Sequence, residues 1–323
     1  MRQLSLLLMC LTLQATAFAQ VNKTATHLPA YNTGKWGFVN TEGKELVPHQ
    51  FEKVLPYNEN LAMVKLGGKW GYISRDGKFE INPQFQDGFS FSEHLAAVKQ
   101  AGKWGFIDMK GQFIIRPLFD DAEPFSEGIA PARESGKWGY LTKEGKMAIN
   151  PQFESAKPFR EGFGLVKFGG KWGFIGKDGK YTVVPTFDNA KEFQDGLAPA
   201  KKGGKWGFLD KEGKFIINND FQDAGHFSED LAPIKLGNKW GFIDKGGKIV
   251  INPQFNDALP FSEGIAAVKQ GSQYGYIDKN GSFVINPQFT EANSFVDGFA
   301  AVKIAGKHGY IKKDGKIVWM QTK

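Results

Sequence analysis

GKWGFIDMKGQFIIRPLFDDAEPFSEGIAPARES, residues 102–135, is one copy of a unit that recurs through the chain. The tryptophan at its third position marks the period, because a step of 34 residues joins every member of one column without an insertion or deletion. The column contains Trp36, Trp70, Trp104, Trp138, Trp172, Trp206 and Trp240, followed by Tyr274 and His308. Such self-similarity at a fixed period predicts a repeat architecture, in which each unit packs mainly against its neighbours.

The residues between the glycines favour strands over helices. A period of 34 residues is also typical of tetratricopeptide repeats, which are helical. Each copy has a glycine after the tryptophan, further glycines in its turns and usually a proline, so no stretch is long enough for a stable helix. Short β-rich runs lie between these breaks, at residues 103–108, 113–116 and 129–133 of the quoted copy. Asp-Gly pairs within residues 75–78 and 177–180 favour β-hairpin turns, and the chain is predicted to be all-β.

Nine units follow if each begins at the Leu-Ala-x-Val-Lys strand. Their starts lie near His27, Leu61, Leu95, Ile129, Phe163, Leu197, Leu231, Ile265 and Phe299. Each unit is predicted to be a three-stranded antiparallel meander, joined to the next by a linker such as residues 120–128. Trp104 and Phe106 would face one side of the sheet and Ile107 the other, so both faces need cover and the units must stack. We expect the seven tryptophans of the column and Tyr274 to form the structural core of this stack.

The sequence leaves two arrangements of the stack open. An open β-superhelix, or solenoid, exposes a terminal face and needs atypical end units, whereas a closed propeller-like toroid does not. His308 in place of tryptophan favours the open form, because it lies in the last unit. Nine units of three strands also differ from the usual propeller of about four to eight blades with four strands each. The open superhelix is therefore the prediction, with the closed toroid as the alternative.

The repeated motifs resemble those of the bacterial WG-repeat family, also called KWG repeats. The resemblance rests on Lys-Trp-Gly-Phe-Ile-Asp-Lys-x-Gly-Lys at residues 239–248 and on Phe-Ser-Glu-Gly at 125–128 and 261–264. It rests also on Ile-Asn-Pro-Gln-Phe, which occurs at residues 81–85, 149–153, 251–255 and 285–289. About residues 34 to 318 are covered, with departures at Tyr274, at His308 and at 47–51, where proline comes one place early. The resemblance implies a binding or scaffold module without an assigned chemistry.

The N-terminus has the pattern of an export signal. Met1-Arg2-Gln3 is a short positive region, residues 4–13 are apolar, and Ala17-Phe18-Ala19 fits cleavage before Gln20. The rival interpretation is a lipoprotein signal cleaved at Cys10, but bulky Met9 stands where a small residue is expected. We therefore predict a signal peptide at 1–19, a short lead at 20–26 and a single repeat array at 27–323. The mature protein would be extracytoplasmic, whether periplasmic, secreted or at the cell surface, with no cysteine and no transmembrane segment.

No pattern of catalytic or metal-binding residues emerges from the repeats. No two of the five histidines share a phase of the repeat, which argues against a metal cluster or a catalytic triad: His27, His49, His94, His226 and His308. Acids at Asp108, Asp210, Asp244 and Asp278 end strands before turns, and no known calcium-loop pattern surrounds them. The glycines do not form a nucleotide-binding loop. We predict a protein that is not an enzyme and has no cofactor.

Charge is the feature that points to a partner. The mature chain has 40 lysines and arginines once Arg2 is removed (41 in the full chain) against 34 acids, a net charge of +6 that is too mild for nucleic acid. Basic residues nevertheless flank the same hairpin in successive units, and we call the following set the basic ridge: Lys65, Lys69, Lys99, Lys103, Lys167, Lys171, Lys201, Lys205, Lys235 and Lys239. Acids recur at the opposite end of the meander, at Glu93, Glu127, Glu161, Asp195, Glu229, Glu263 and Asp297. These charges form either ladders between units that also aid solubility or a surface that recruits an acidic partner.

Two function classes remain. The first is an interaction scaffold that binds a protein or an anionic polymer of the cell envelope. The second is a glycan- or cell-wall-binding module, since tryptophan and tyrosine on hairpins resemble those of choline- and glucan-binding repeats. Exposure of the indoles separates the two classes, because a buried ring cannot stack on a sugar.

Overall fold

The computed structural model of the chain describes residues 27–322, apart from the side chain of Asn219. The predicted signal peptide (1–19), its cleavage site and the short lead (20–26) lie outside these described residues. Within them the chain forms nine consecutive antiparallel sheets, the first of three strands and the other eight of four. In every sheet the strands follow one another in chain order.

The strands are numbered in chain order. Sheets 1 to 3 consist of β1 (Leu28–Asn32), β2 (Lys35–Val39), β3 (Glu45–Phe51); β4 (Lys53–Val54), β5 (Ala62–Leu66), β6 (Lys69–Ile73), β7 (Phe79–Phe85); and β8 (Asp87–Gly88), β9 (Ala96–Gln100), β10 (Lys103–Ile107), β11 (Phe113–Phe119). Sheets 4 to 6 consist of β12 (Asp121–Ala122), β13 (Ile129–Glu134), β14 (Lys137–Thr142), β15 (Met147–Phe153); β16 (Ser155–Ala156), β17 (Gly164–Phe168), β18 (Lys171–Ile175), β19 (Tyr181–Phe187); and β20 (Asn189–Ala190), β21 (Ala198–Lys202), β22 (Lys205–Leu209), β23 (Phe215–Phe221). Sheets 7 to 9 consist of β24 (Asp223–Ala224), β25 (Leu231–Leu236), β26 (Lys239–Asp244), β27 (Ile249–Phe255); β28 (Asp257–Ala258), β29 (Ala266–Gln270), β30 (Gln273–Ile277), β31 (Phe283–Phe289); and β32 (Glu291–Ala292), β33 (Phe299–Ile304), β34 (Lys307–Lys312), β35 (Ile317–Met320).

The Trp-Gly pair has a specific role in the sheet. In sheet 3, β10 and β11 pair at Trp104↔Phe119 and next at Phe106↔Ile115, so β11 carries extra residues in a bulge. Gly105 lies directly against this bulge, and a Cβ atom there would be 2.5 Å from the carbonyl oxygen of Ile115. Only glycine fits such a close approach of two backbones. Pro117 lies within the same bulge, where its missing N–H costs no ladder hydrogen bond.

Eight of the sheets contain a short strand that the sequence analysis placed in a linker. In sheet 4, Asp121 and Ala122 pair with Arg133 and Ala132, so the meander has four strands and not the predicted three. Residues 120–128 are therefore not simply a linker. A two-residue strand is too short to leave an alternating pattern in the sequence, which is why pattern analysis missed it.

Contacts divide the chain into two compact units, which we describe separately. Unit 2 contains residues 34–38 and 46–221. Its core lies between successive sheets, as the cluster of Tyr140, Phe153, Phe159 and Ile175 shows for sheets 4 and 5. The Tyr140 and Phe159 rings meet edge to face with centroids 5.0 Å apart, a favoured aromatic geometry. Sheets 4 and 5 thus bury their aromatic residues against each other.

Unit 1 contains the described residues up to Thr33, residues 39–45 and residues 222–322. Within it, buried Leu28, Ala30 and Val39 of the first sheet pack against Phe299, Tyr310 and Trp319 of the last sheet. The hydroxyl of Thr322 also donates a hydrogen bond to the side-chain oxygen of Asn32, at 3.1 Å. The first and last sheets of the array are therefore in contact.

This contact overturns the predicted open superhelix. An open solenoid keeps its first and last units apart, whereas nine consecutive sheets whose ends meet form a closed β-propeller. The turn glycine Gly43 of the first sheet lies against the backbone of Val318, just as Gly315 lies against Ile285 one repeat earlier. The prediction failed because His308 was interpreted as a polar end cap. In the structure it lies beside the closing contact, with its ring centroid 6.0 Å from that of Tyr31.

Candidate functional site

The basic ridge lies at the tips of the hairpins between the second and third strands of the four-stranded sheets. At the tip in sheet 2, Lys65 pairs across the hairpin with Trp70, and its ammonium lies 5.9 Å from the indole centroid. Lys69, on the other side of the turn, is exposed. The same division recurs along the ridge. The half-buried first members of the other pairs are Lys99, Lys167, Lys201 and Lys235, and the exposed second members are Lys103, Lys171 and Lys205. Lys239 is an exception, since it is a second member and is half-buried. The first lysine of each pair is thus half-buried, over the indole in the case of Lys65, and the second generally faces solvent.

The ridge also contains carboxylates that the sequence analysis did not include. Asp120 accepts a hydrogen bond from the N–H of Gly136, and its other oxygen lies 2.6 Å from the ammonium of Lys103. Lys103 and the Gly136 N–H hold the pKa of Asp120 below its usual value. Asp188 forms the equivalent 2.6 Å pair with Lys171. Part of the positive charge of the ridge is therefore neutralised at the hairpin tips.

The acids at the opposite end of the sheets connect neighbouring repeats. Glu127 accepts a hydrogen bond from the N–H of Gly162 in the next repeat, at 3.1 Å, and its carboxylate lies 3.5 Å from the ammonium of Lys177. The hydroxyl of Ser126 donates to the carbonyl of Phe159 at 2.7 Å. We call this arrangement the Ser-Glu staple. Ion pairs between neighbouring repeats therefore exist, but their lysines are not those of the basic ridge.

The carboxylate contact of the staple recurs in both units, also at Glu161, where Arg160 takes the place of the serine, so these acids act within the scaffold. The carboxylate and backbone N–H pairs are Glu93 with Gly128, Glu161 with Gly196, Glu229 with Gly264 and Glu263 with Gly298. The lysines that reach these acids are Lys143, Lys211, Lys279 and Lys313. These acids are occupied by contacts within the protein, which makes them poor candidates for binding a ligand.

Removing one staple carboxylate should weaken the contact between two repeats. We expect Glu127→Gln to lower the free energy of unfolding by about 1 kcal/mol, because the amide replaces a charged acceptor of the Gly162 N–H and the partner of Lys177. Glu134→Gln is the control, since Glu134 is an exposed acid of the same sheet. Urea denaturation measures both variants. Equal stabilities for the two would show that the staple contributes nothing.

The acids that precede turns are used locally. One carboxylate oxygen of Asp108 accepts hydrogen bonds from the N–H groups of Lys110 and Gln112, both at 2.9 Å. Asp244 and Asp278 make the same pair of contacts, and Asp210 accepts from Lys214. This side-chain mimicry of a turn is common for aspartate. Within residues 27–322, no group of three or more His, Cys, Asp or Glu side chains is arranged to hold a metal ion.

The tryptophan column is less buried than the aromatic residues two places later. Trp70, Trp104 and Trp206 are buried, whereas Trp36, Trp138, Trp172, Trp240 and Tyr274 are half-buried. The residues two places on are at most 1% exposed: Phe38, Tyr72, Phe106, Tyr140, Phe174, Phe208, Phe242 and Tyr276. The hydroxyl of Tyr140 donates to the carbonyl of Lys157 at 2.9 Å. The deepest part of the core is therefore this second aromatic column.

A group of charged residues in unit 2 departs from the repeat pattern. Glu123 lies 3.5 Å from the ammonium of Lys157, and Lys191, one repeat later, has its ammonium 5.0 Å from the Trp206 centroid. Burial raises the pKa of Glu123, Lys157 lowers it, and the charges of Asp121 and Glu192 add to the rise. Sequence reasoning missed this group because it compared what the repeats share. The sequence does contain a signal for this group: Glu123, Lys157 and Lys191 stand at the position that holds Leu55, Phe89 or Leu259 in other repeats.

A cavity of about 90 Å³ lies in unit 1, lined by the first three strands of sheet 9 and by Tyr274 of sheet 8. His308 and Tyr274, the two departures from the tryptophan column, both line it, together with Glu291, Asn293 and Lys303. The ammonium of Lys303 lies 3.1 Å from the carboxylate of Glu291. Burial and the charge of Lys303 lower the pKa of His308, and Glu291 opposes them. The net effect favours the neutral form of the imidazole.

The comparison with protein families agrees with this repeat geometry. The family described as WG containing repeat matches eight consecutive segments, each running from one member of the tryptophan column to the next. The segments are 36–70, 70–104, 104–138, 138–172, 172–206, 206–240, 240–274 and 274–307. The chain belongs to the WG-repeat family. No curated protein matches this WG-repeat chain.

Solved structures resemble the WG-repeat propeller in fold. A crystal structure of a eukaryotic initiation factor is similar over 92% of this chain and 96% of that one, with a TM-score of 0.65 and 12% sequence identity. Dipeptidyl peptidase 4 of Porphyromonas gingivalis is similar over 93% of this chain and 58% of its own, with a TM-score of 0.56 and 9% identity. Identities this low support the fold alone. No helix among residues 27–322 is long and apolar enough to cross a membrane.

Proposed function

We propose that this WG-repeat propeller is a non-enzymatic scaffold outside the cytoplasm that binds an acidic protein or an anionic polymer of the cell envelope. The observation that carries the proposal is the set of lysine-bearing hairpin tips, which recur at the same end of successive sheets. In unit 2 the exposed lysines Lys69, Lys137 and Lys205 occupy the same position of their hairpins. An extended partner that touches several tips gains avidity from contacts that are individually weak.

The location outside the cytoplasm rests on the sequence pattern of residues 1–19. The scaffold function is supported by the way the repeats use their polar groups. The staple acids and the turn aspartates are engaged within the protein, whereas Lys69 and Lys205 project into solvent. The glycan-binding alternative is less well supported, because none of the seven tryptophans of the column is exposed: Trp70, Trp104 and Trp206 are buried and the other four are half-buried.

Binding through the tips should depend on the exposed lysines and on salt. We expect the triple variant K69Q/K137Q/K205Q to capture polyglutamate, a defined acidic probe, more weakly than the wild type at low salt. Its melting temperature should change little, because exposed charges contribute little to stability. The difference should shrink above physiological ionic strength, where the screening length is roughly 8 Å or less. Immobilised protein in a salt titration measures both effects, and an extract of the native cell envelope replaces polyglutamate in a second series.

The chain offers a matched control for this triple variant. Lys110, Lys146 and Lys214 are exposed lysines of the same unit, in the turns at the opposite end of the sheets. K110Q/K146Q/K214Q removes the same net charge from the other end. If the two triple variants lose capture equally, only net charge matters and the hairpin tips are not the binding surface.

A further inference from the structure

The cavity in the ninth repeat occupies the place where other repeats hold an aromatic ring. His308 is the member of the tryptophan column in this repeat, and an imidazole is smaller than an indole. The cavity of about 90 Å³ lies beside it, lined by Tyr274, Glu291, Asn293 and Lys303. The space is therefore part of a recurring ring position that this repeat fills incompletely.

The walls of the cavity correspond to positions that contact the ring in other repeats. Lys65 stands five residues before Trp70 in the sequence, and its ammonium lies 5.9 Å from the Trp70 ring centroid. Lys303 stands five residues before His308 and is therefore its equivalent. Lys191 stands fifteen residues before Trp206, and its ammonium lies 5.0 Å from the Trp206 ring centroid. The residue fifteen places before His308 is Asn293. These walls are already suited to a flat aromatic ring with a cation beside its face.

A third wall position agrees with this comparison. Asp257 stands seventeen residues before Tyr274 and accepts a hydrogen bond from the Tyr274 hydroxyl, at 2.5 Å. Its equivalent in the ninth repeat is Glu291, a second carboxylate that can accept from an aromatic hydroxyl or an indole N–H. The cavity therefore offers an apolar slot, a cation and a hydrogen-bond acceptor in the arrangement that holds a ring one repeat earlier.

We propose that this cavity receives an aromatic side chain of a partner polypeptide, whose ring takes the place of the missing indole. The cavity is smaller than the roughly 150 Å³ that encloses a benzene molecule, so the ring enters by its edge and remains partly outside. His308 directly follows Lys307 at the hairpin tip of sheet 9. The inference deepens the proposed function, because a partner bound at the tips is placed to insert a ring here.

The test uses N-acetyltryptophanamide as the probe and N-acetylleucinamide as its control. With the full chain, we expect saturable NMR shifts of the Ala292, Ala301 and Val302 methyl groups for the first compound and none for the second. Lys303→Gln should weaken binding about two- to fivefold, as expected for loss of a cation beside the ring. Lys235→Gln, at the equivalent position of the seventh repeat, should have no effect.

Filling the cavity should abolish binding. We expect His308→Trp to restore the common residue of the column and to weaken binding of N-acetyltryptophanamide at least tenfold, with the melting temperature unchanged or raised. If that variant does not fold, His308→Tyr, the replacement already present at Tyr274, serves in its place. Undiminished binding by a folded variant, or no shifts in the wild type, would overturn the proposal.

Two further results separate this inference from its alternatives. Free indole is the second probe, and binding of indole without binding of N-acetyltryptophanamide would mean that the site takes a free aromatic molecule, which contradicts a partner side chain. The triple variant K69Q/K137Q/K205Q should still bind N-acetyltryptophanamide as the wild type does. If it loses polyglutamate capture yet retains this binding, both proposals stand. If the wild type captures polyglutamate but gives no shifts, only the aromatic site fails.

Discussion

Ala30→Asp should destabilise the protein by about 3 to 5 kcal/mol, the usual cost of an uncompensated buried charge. Ala30 is fully buried among residues of the first and last sheets. If the repeats formed an open array, this residue would lie on an exposed terminal face and the same substitution would cost little. Chemical denaturation of the variant therefore measures the closing contact directly.

Ala132→Asp is the matched control for this experiment. Ala132 occupies the same position of the repeat as Ala30, is also fully buried and lies in the interior of unit 2. Similar losses of stability in the two variants would show that the closing contact is as tight as an interior one. A small loss for Ala30→Asp beside a large one for Ala132→Asp would contradict closure. If neither aspartate variant folds, the milder pair Ala30→Val and Ala132→Val gives the same comparison.

Tyr140→Ala should cost about 3 to 5 kcal/mol, as is usual for deleting a large buried side chain. Trp138→Ala should cost roughly half as much, because its indole is half-buried and loses less contact on truncation. Tyr140→Phe keeps the ring and removes only the donor to the Lys157 carbonyl, which should cost about 1 kcal/mol. Denaturation curves of the three variants rank them. A larger loss for Trp138→Ala than for Tyr140→Ala would make the tryptophan column, and not the second column, the main support.

Local features of the fold are readable from the sequence. Hairpins, turns and the all-β class follow from the positions of the glycines and from the alternation of apolar residues. Both patterns are local, since each extends over fewer than about ten consecutive residues. The glycine after each tryptophan is also visible in the sequence, and in the structure the backbone of the next strand of its own sheet lies against Gly105. The burial order of Trp104 and Phe106 was not anticipated, because alternation places both on one face without saying which lies deeper.

Closure and the staples could not be derived in the same way. The contact between Thr322 and Asn32 joins residues separated by 290 positions, and no local pattern encodes such a distance. Glu127 reaches Gly162 across 35 residues, so its role depends on how two repeats stack. The Glu123 group and the His308 cavity were missed for another reason. The charges of the Glu123 group depart from the pattern that the repeats share, so a comparison of common residues omits them. His308 is visible in the sequence as a departure, but the cavity beside it depends on how the surrounding strands pack.

The contact between the first and last sheets restricts how this gene can evolve. In an open solenoid, duplication or loss of one repeat changes the length and leaves every remaining interface intact. Here a tenth repeat would have to separate Leu28 from Trp319, and the loss of a repeat would strain the contact between the first and last sheets. We therefore expect the number of repeats to be constrained as a whole, and gain or loss of one repeat by unequal recombination to be disfavoured. Substitutions such as His308 meet no such restriction, because they change one repeat and leave the number of repeats intact.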